Sequence, residues 1–230
     1  GLTFSALNLY FFYSCFADTN FFKKHYEDTS ILLVAFFFSL ILFFSIGDMN
    51  FLNIFLNVIS SLSNSGLTIL PPPENFYLIF LFLTIIGGSI ISNSSGIKFL
   101  RLYILFKSSV IEIFKLVSPN TIMDQRILKT ENKINNNNLN SSFLIFICFF
   151  ISIFLLSSIL SAGGLNFESS FKLSILTITN TVNSSLYGLE EIDFLSLLTS
   201  SKIFIILFMV IGKIELISIF LIIKKSISRN

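Results

Sequence analysis

Four apolar stretches, each close to the length that a helix needs to cross a lipid bilayer, dominate this sequence. A hydrocarbon core about 30 Å thick requires about 20 apolar residues in a helix, and the stretches are residues 31–47, 76–97, 143–165 and 203–223. Hydrophobic residues make up 53% of the chain and charged residues 12%, which excludes an ordinary soluble domain. The sequence therefore predicts an all-α protein with several transmembrane passes.

A fifth apolar stretch, residues 2–17, opens the chain without the basic flank that a signal peptide carries. We interpret it as the tail of a preceding transmembrane helix. On this interpretation the chain is a fragment of a longer protein.

A single lysine interrupts the last apolar stretch. Lys213 is the eleventh of its 21 residues, where an ammonium costs at least ~2.5 kcal/mol unless it faces protein or water. Glu215 lies only two residues further and points to a different helix face. We therefore expect Lys213 to find acceptors on another segment, in a protein with a polar interior.

The basic residues are distributed unevenly among the segments between the spans. Twelve of the fifteen fall on one side of the predicted topology: Lys23, Lys24, Lys98, Arg101, Lys107, Lys115, Arg126, Lys129, Lys133, Lys224, Lys225 and Arg229. By the positive-inside rule, that side is cytoplasmic. The opposite segments are mainly acidic, either to attract cations or through ordinary solvation of loops.

The two outer segments repeat one design. Phe51–Leu62 is long enough for a helix that enters the membrane without crossing it, and the polar residues 63–68 follow it. Residues 169–178 and the polar residues 179–185 repeat this order. A half-helix entering from outside points its partial negative charge at the membrane centre, which favours a cation. Either polar segment alone could be a solvated loop, but duplication is typical of transporters and channels.

The second span changes character halfway. Residues 76–86 are solidly apolar, whereas residues 87–96 contain a pair of glycines followed by serine and asparagine. Such a composition predicts irregular backbone, whose carbonyls could accept hydrogen bonds from Lys213. A simple kink is the alternative.

The composition argues against catalysis. His25 is the only histidine and lies beside two lysines, where we expect a solvated charge at the membrane surface. No arrangement of nucleophile, base and acid forms around it. We predict that the chain is not an enzyme and needs no cofactor.

Four passages make the sequence resemble a known family, the Trk/Ktr/HKT potassium transporters, and specifically the C-terminal half of a Trk-type membrane subunit. These passages are residues 1–4 with 26–28, residues 57–66, the glycine pair 87–88 through residues 92–98 and Arg101, and residues 212–215. The third passage is the most specific of them. The resemblance covers nearly the whole chain.

The resemblance implies two of the four pore repeats of a potassium transporter. Residues 1–28 would end the preceding helix and connect it, 29–106 would form the third repeat, 107–142 a cytoplasmic linker and 143–230 the fourth repeat. Each repeat would be a helix, a re-entrant pore helix and a second helix.

The resemblance also implies the roles of individual residues. The selectivity filter would contain Ser63, Asn64, Ser65, Gly66, Asn180, Thr181, Val182 and Asn183. An intramembrane gating loop would contain Gly87, Gly88, Ser92, Asn93, Ser94, Ser95 and Gly96, held by Lys213.

The family's assembly implies the partners. They would be potassium as transported substrate, the lipid bilayer, an N-terminal half with two further repeats, a second copy of the subunit and a cytoplasmic nucleotide-binding regulatory subunit. The location would be the bacterial inner membrane, with both filters facing outside and the linker in the cytoplasm. No nucleic acid is implied.

The sequence departs from the family pattern at three places. Asn183 stands where the fourth filter has glycine, Asn93 and Ser95 replace threonine and glycine in the loop, and Lys213 replaces arginine. Two repeats are present instead of four. Two alternatives therefore remain open: a non-conducting or scaffold subunit derived from this fold, and a sodium-permeable variant.

Overall fold

A computed structural model describes most of the chain in full atomic detail. The described residues are 6–8, 11, 13, 25–47, 49–92, 94–118, 124, 126–128, 133–189, 192, 194–195 and 197–213. Their seven long helices are α1 (Tyr26–Ile46), α2 (Phe51–Leu62), α3 (Tyr77–Ile85), α4 (Phe99–Val117), α5 (Asn136–Ala162), α6 (Phe167–Ile178) and α7 (Thr199–Lys213). Two short 3-10 helices, Glu74–Phe76 and Ser185–Tyr187, precede α3 and follow α6.

The helices form two similar units. In the first unit α2 packs on α1 and α3, and in the second α6 packs on α5 and α7. The two 12-residue helices α2 and α6 are the most enclosed, because residues 57–62 of α2 and 172–178 of α6 are all buried. Helix α6 also packs on α3, which joins the units through one apolar core.

Helix α1 exposes large apolar side chains on its outer face. Ala35 and Ser39 are fully buried on its inner face, while Phe37 and Phe44 are 60% and 82% exposed on its outer face. Ile31, Leu42 and Ile46 are buried on the same inner face, so the feature that indicates contact with lipid is the exposure of large phenylalanine side chains on the outer face. Ser39 also donates to the carbonyl of Phe36 at 2.7 Å, so its hydroxyl is satisfied within the helix.

Among the described residues, two helices are long and apolar enough to cross a membrane alone, α1 and α5. One of the four predicted spans differs, and another is described only in part. The second contains a helix of only nine residues, α3, because the backbone leaves the helix at Ile86. The last is described as far as Lys213, so the remainder of residues 203–223 lies outside the described part.

A short strand pair closes the break after α3. Strand β1 (Ile86–Gly87) pairs in parallel with β2 (Ile97–Lys98), and α4 begins at Phe99. The chain therefore leaves α3, makes a loop of nine residues and returns beside its point of departure. The predicted irregular backbone in residues 87–96 coincides with this loop.

The second unit begins earlier than the charge pattern indicates. Helix α5 starts at Asn136 inside the predicted linker, with Asn135 in the extended conformation of an N-cap residue. Asparagine is among the preferred residues at this position, but the side chain of Asn135 makes no capping hydrogen bond to the first turn.

His25 is buried, which contradicts the prediction of a solvated charge at the surface. Its side chain is only 7% exposed. Its Nδ1 lies 3.4 Å from Oδ2 of Asp28, and its ring meets Phe11 edge to face. The amide of Asn8 donates to the other oxygen of Asp28 at 3.0 Å, so the N-terminal segment covers the histidine.

Candidate functional site

Helices α2 and α6 end in the same cap. Asn64 and Asn180 both adopt the left-handed conformation, with φ of 57° and 51°. The amide of Ser65 donates to the carbonyl of Ser60 at 3.0 Å, and the amide of Thr181 donates to that of Leu176 at 2.9 Å. A hydrogen bond from an amide to the carbonyl five residues earlier defines a Schellman motif. Asparagine is the usual alternative to glycine at the left-handed position of this motif.

The polar residues after each helix form two turns, turn 1 (residues 63–68) and turn 2 (residues 179–184). In the register set by the caps, Val182 occupies in turn 2 the place that Gly66 holds in turn 1. The sequence comparison above singled out Asn183 as the substitute for glycine, one residue later. Gly66 has a φ of 69°, which favours glycine.

The two turns are in contact. A Cβ atom at Gly66 would overlap the carbonyl oxygen of Val182 and lie 3.2 Å from Cγ2 of Thr181. The side-chain amide of Asn64 also donates to Oγ1 of Thr181, at 3.3 Å. All eight residues predicted for the filter therefore belong to two neighbouring turns at the C-terminal ends of two buried helices.

Hydroxyl groups support turn 1 from the helix. Ser60 donates to the carbonyl of Leu67 at 2.5 Å, and its Oγ lies 3.0 Å from Oγ of Ser65. Further along, Asn57 donates to the carbonyl of Leu70 at 3.1 Å and accepts from Thr68 at 2.9 Å. The backbone of turn 1 is thereby fixed without the ladder of a helix or sheet.

Turn 2 is fixed by different residues. The hydroxyls of Thr179 and Thr181 lie 2.8 Å apart, and Asn183 donates to the carbonyl of Leu189 at 2.8 Å. Irregular backbone at membrane depth requires such internal support, because lipid offers no hydrogen bonds. Two helix C-termini directed at this region favour a cation there.

The loop between β1 and β2 is organised by Lys98. This lysine is only 6% exposed, and its Nζ donates to the carbonyls of Ser92 at 2.9 Å and Ser94 at 2.7 Å. Hydrogen bonds from an ionised donor are roughly twice as strong as neutral ones. Sequence reasoning counted Lys98 as a cytoplasmic charge and missed this role; its position directly after the loop is the signal that points to it.

Three further contacts fix the loop. Oγ of Ser94 accepts from the amide of Gly88 at 2.7 Å. The amide of Ser89 donates to the carbonyl of Ala6 at 3.0 Å. At the tip, the amide of Ile90 donates to Oε1 of Glu27 at 2.9 Å. Glu27, at the start of α1, was quoted as part of a motif but not predicted to touch the loop.

Lys213 lies at the same loop. It lines a cavity of about 220 Å³ together with Ser92, Ser94, Ser95, Gly96 and Lys98. Its predicted hydrogen bonds to the loop carbonyls stay a prediction. Asn93 of the predicted loop lies outside the described residues, as does Glu215.

A second cavity, of about 680 Å³, lies beside the start of α6. Its lining includes Glu74, Tyr77, Glu168, Lys172 and Ser185. Lys172 is buried, and its Nζ lies 2.7 Å from Oε1 of the exposed Glu168. The hydrogen bond from Lys172 and its positive charge lower the pKa of Glu168 below its usual value.

Comparison with known proteins gives a likeness to solved structures and none to known sequences. No protein-family model and no curated protein matches the sequence. The fold matches the crystal structure of the potassium transporter TrkH from Vibrio parahaemolyticus, with a TM-score of 0.79 and 19% sequence identity. The match covers 96% of this chain and 50% of TrkH, so the chain spans about half the length of that transporter. At this identity the likeness establishes the fold, and the predicted all-α membrane fold is confirmed.

Proposed function

We propose that this chain is the C-terminal half of a Trk-type potassium-uptake transporter and contributes its third and fourth pore repeats. The observation that carries the proposal is the pair of identically capped half-helices whose polar turns meet at Gly66 and Val182. Carbonyls presented by such turns replace the water shell of a potassium ion. The fold shared with one half of TrkH supports the same function.

The filter in this proposal consists of residues 63–66 and 180–183. Two half-helices provide only part of the surroundings of one ion, so an N-terminal half with two more repeats completes the pore. Potassium is then the transported substrate, and the chain needs no cofactor.

The loop of residues 87–96 is proposed as the gate below the filter. Its compact fold around Lys98 supports this role, because an ordered loop with many internal bonds can adopt a defined closed state. Lys213, at the edge of the same cavity, would be the second cation that holds it.

The proposed location is the bacterial inner membrane, with turns 1 and 2 opening to the outside and residues 107–142 in the cytoplasm. The uneven distribution of basic residues supports this orientation. A second copy of the subunit and a cytoplasmic nucleotide-binding regulatory subunit complete the proposed assembly.

A second candidate function follows from turn 2. Val182 and Asn183 stand at the positions of turn 2 where glycine is expected. Neither residue has the conformational freedom of glycine. This substitution favours a subunit that admits sodium or does not conduct and serves as a scaffold.

Growth of bacteria that lack potassium uptake separates these functions. The chain is expressed alone, with the N-terminal half of a Trk-type subunit, or not at all, and the cells are grown at low potassium. We expect rescue only when both halves are present. Sodium sensitivity without rescue would favour the sodium-permeable variant, and no effect despite normal membrane levels of both halves would favour a scaffold.

A further inference from the structure

We propose that Asn64 and Asn180 are positioning residues that tie each filter turn to the helix that follows it. This inference rests on the proposed function for the identity of the turns as filters. The tie itself is a contact between named atoms and can be measured without transport.

The two asparagines make equivalent contacts. Nδ2 of Asn64 donates to the carbonyl of Thr84 in α3 at 2.7 Å, and Nδ2 of Asn180 donates to the carbonyl of Met209 in α7 at 3.0 Å. Thr84 precedes Gly87 by three residues, and Met209 precedes Gly212 by three residues. The same bond therefore recurs at the same place in both units.

The end of α3 explains why an acceptor is available in the first unit. The carbonyls in the last turn of a helix lack partners within the helix, and α3 ends at Ile85, one residue after Thr84. The amide that would continue the helix, that of Gly88, instead donates to Oγ of Ser94. Asn64 supplies the missing donor.

Close backbone contact at Gly212 brings α7 to the end of α6 in the second unit. A Cβ at Gly212 would overlap the carbonyl of Ile178, at the end of α6. In the first unit, a Cβ at Gly96, the residue before β2, would lie 2.9 Å from the carbonyl of Thr84, so the loop packs directly on the acceptor of Asn64. In the second unit the backbones of α6 and α7 touch, so the short side chain of Asn180 reaches from turn 2 to α7.

Asn64 connects three elements at once. Its amide reaches the carbonyl of Thr84 and the hydroxyl of Thr181, while its buried Oδ1 has no hydrogen-bond partner among the described residues. A carbonyl can only accept, so the amide nitrogen must face Thr84. The side chain is thereby oriented to join turn 1, α3 and turn 2.

The two asparagines connect the turns to segments beside the loop of residues 87–96. Thr84 lies at the start of the segment that becomes the loop of residues 87–96, so movement of that loop is transmitted to turn 1 through Asn64. Met209 lies one helical turn before Lys213, so Asn180 connects turn 2 with the end of α7 beside the same loop.

A simpler explanation is that asparagine is present only because it tolerates the left-handed conformation. Glycine tolerates this conformation better, so the two explanations predict opposite effects of replacing asparagine by glycine. Asn64→Asp provides a second variant, because aspartate keeps the size of the side chain but carries no donor when ionised.

The rate of amide hydrogen exchange, measured on the whole chain in lipid nanodiscs, reports whether these two asparagine hydrogen bonds stabilise the segments they connect. Loss of one hydrogen bond predicts roughly three- to tenfold faster amide exchange in both connected segments. We expect this in residues 63–68 and 84–92 for Asn64→Gly and Asn64→Asp, and in turn 2 and the end of α7 for Asn180→Gly. Asn53→Asp, on the outer half of α2, serves as the control and should leave both segments unchanged.

The outcomes separate this inference from the proposed function. Unchanged or slower exchange in Asn64→Gly and Asn180→Gly would overturn the inference, whatever the transport activity. Faster exchange in both segments would support it, even if the chain with its N-terminal half carried no ion. Where the reassembled transporter is active, the same variants should reduce potassium-over-sodium discrimination at normal membrane levels.

Discussion

At the scale of single residues, the two turns depend on backbone conformations that few side chains accept. Gly66, Asn64 and Asn180 all have positive φ, which costs most residues about 1–2 kcal/mol each. Gly66 carries a second constraint, because the carbonyl of Val182 occupies the space of its missing Cβ. Conformation and close contact can be separated by comparing two glycines.

Gly66→Ala should destabilise the protein more than Gly47→Ala. Both glycines have φ near 70°, but a Cβ at Gly47 would meet nothing within 4 Å. We expect a loss in free energy of unfolding of about 1–2 kcal/mol for Gly47→Ala. Gly66→Ala should lose about 1–3 kcal/mol more, because the Val182 carbonyl must move. Unfolding of the purified protein in detergent measures the difference, and equal losses would show that the turns do not touch.

Lys98→Met should destabilise the loop of residues 87–96. The substitution leaves the buried carbonyl of Ser94 and the half-buried carbonyl of Ser92 without their donor, and we expect a loss of about 2–4 kcal/mol in the free energy of unfolding. Lys115→Met is the matched control, since Lys115 makes an exposed ion pair with Glu112 at 2.8 Å and should lose at most about 1 kcal/mol. A loss for Lys98→Met no larger than for the control would mean that Lys98 does not hold the loop.

Lys98 also shows where reasoning from sequence fails. The positive-inside rule treats every lysine between two spans as solvated, yet this one folds back over six residues into the carbonyls before it. The prediction that His25 is solvated was wrong for a similar reason. The burial of His25 depends on Asn8 and Phe11, which are distant in the sequence. Charge counting predicts the side of the membrane and does not predict contacts.

For helices and strands, local composition predicted the bounds of elements better than it predicted the contacts of single side chains. The bounds of Phe51–Leu62 follow from the apolar run and the polar residues after it, and the helix has those bounds in the structure. The break after residue 86 follows from the glycine pair, and α3 ends at Ile85. The pairing of β1 with β2 was not predictable, because two residues on each side carry no periodic pattern.

The link between α1 and the loop tip gives a prediction at this scale. Glu27→Ala removes the acceptor of the Ile90 amide, and one hydrogen bond contributes about 0.5–1.5 kcal/mol. Exchange of the Ile90 amide should therefore accelerate roughly three- to tenfold. Glu112→Ala on the exposed face of α4 should leave it unchanged. Similar exchange of Ile90 in the two variants would show that α1 does not restrain the loop.

At the scale of the whole molecule, the fold class was predictable and the packing of the two units was not. Apolar stretches of the right length predict membrane helices, and duplication of the half-helix and its polar turn predicts two similar units. That the turns meet through Gly66 and Val182 depends on how α6 packs on α3, which no local pattern encodes.

The proposed orientation of the chain predicts which positions a reagent reaches from each side of the membrane. In a background with Cys15→Ser and Cys148→Ser, a membrane-impermeant thiol reagent should label Glu74→Cys in intact cells. It should label Lys115→Cys only after the membrane is opened. Labelling in the opposite order would place the turns at the cytoplasmic face and remove the basis for the filter assignment.

Turns 1 and 2 are proposed to surround an ion path, and the position of a bound ion would show whether they do. The chain assembled with its N-terminal half is crystallised with thallium(I), which replaces potassium and scatters X-rays anomalously. The account predicts anomalous density bounded by the backbone oxygens of residues 63–66 and 180–183. Density found only elsewhere, with both turns ordered and empty, would contradict it.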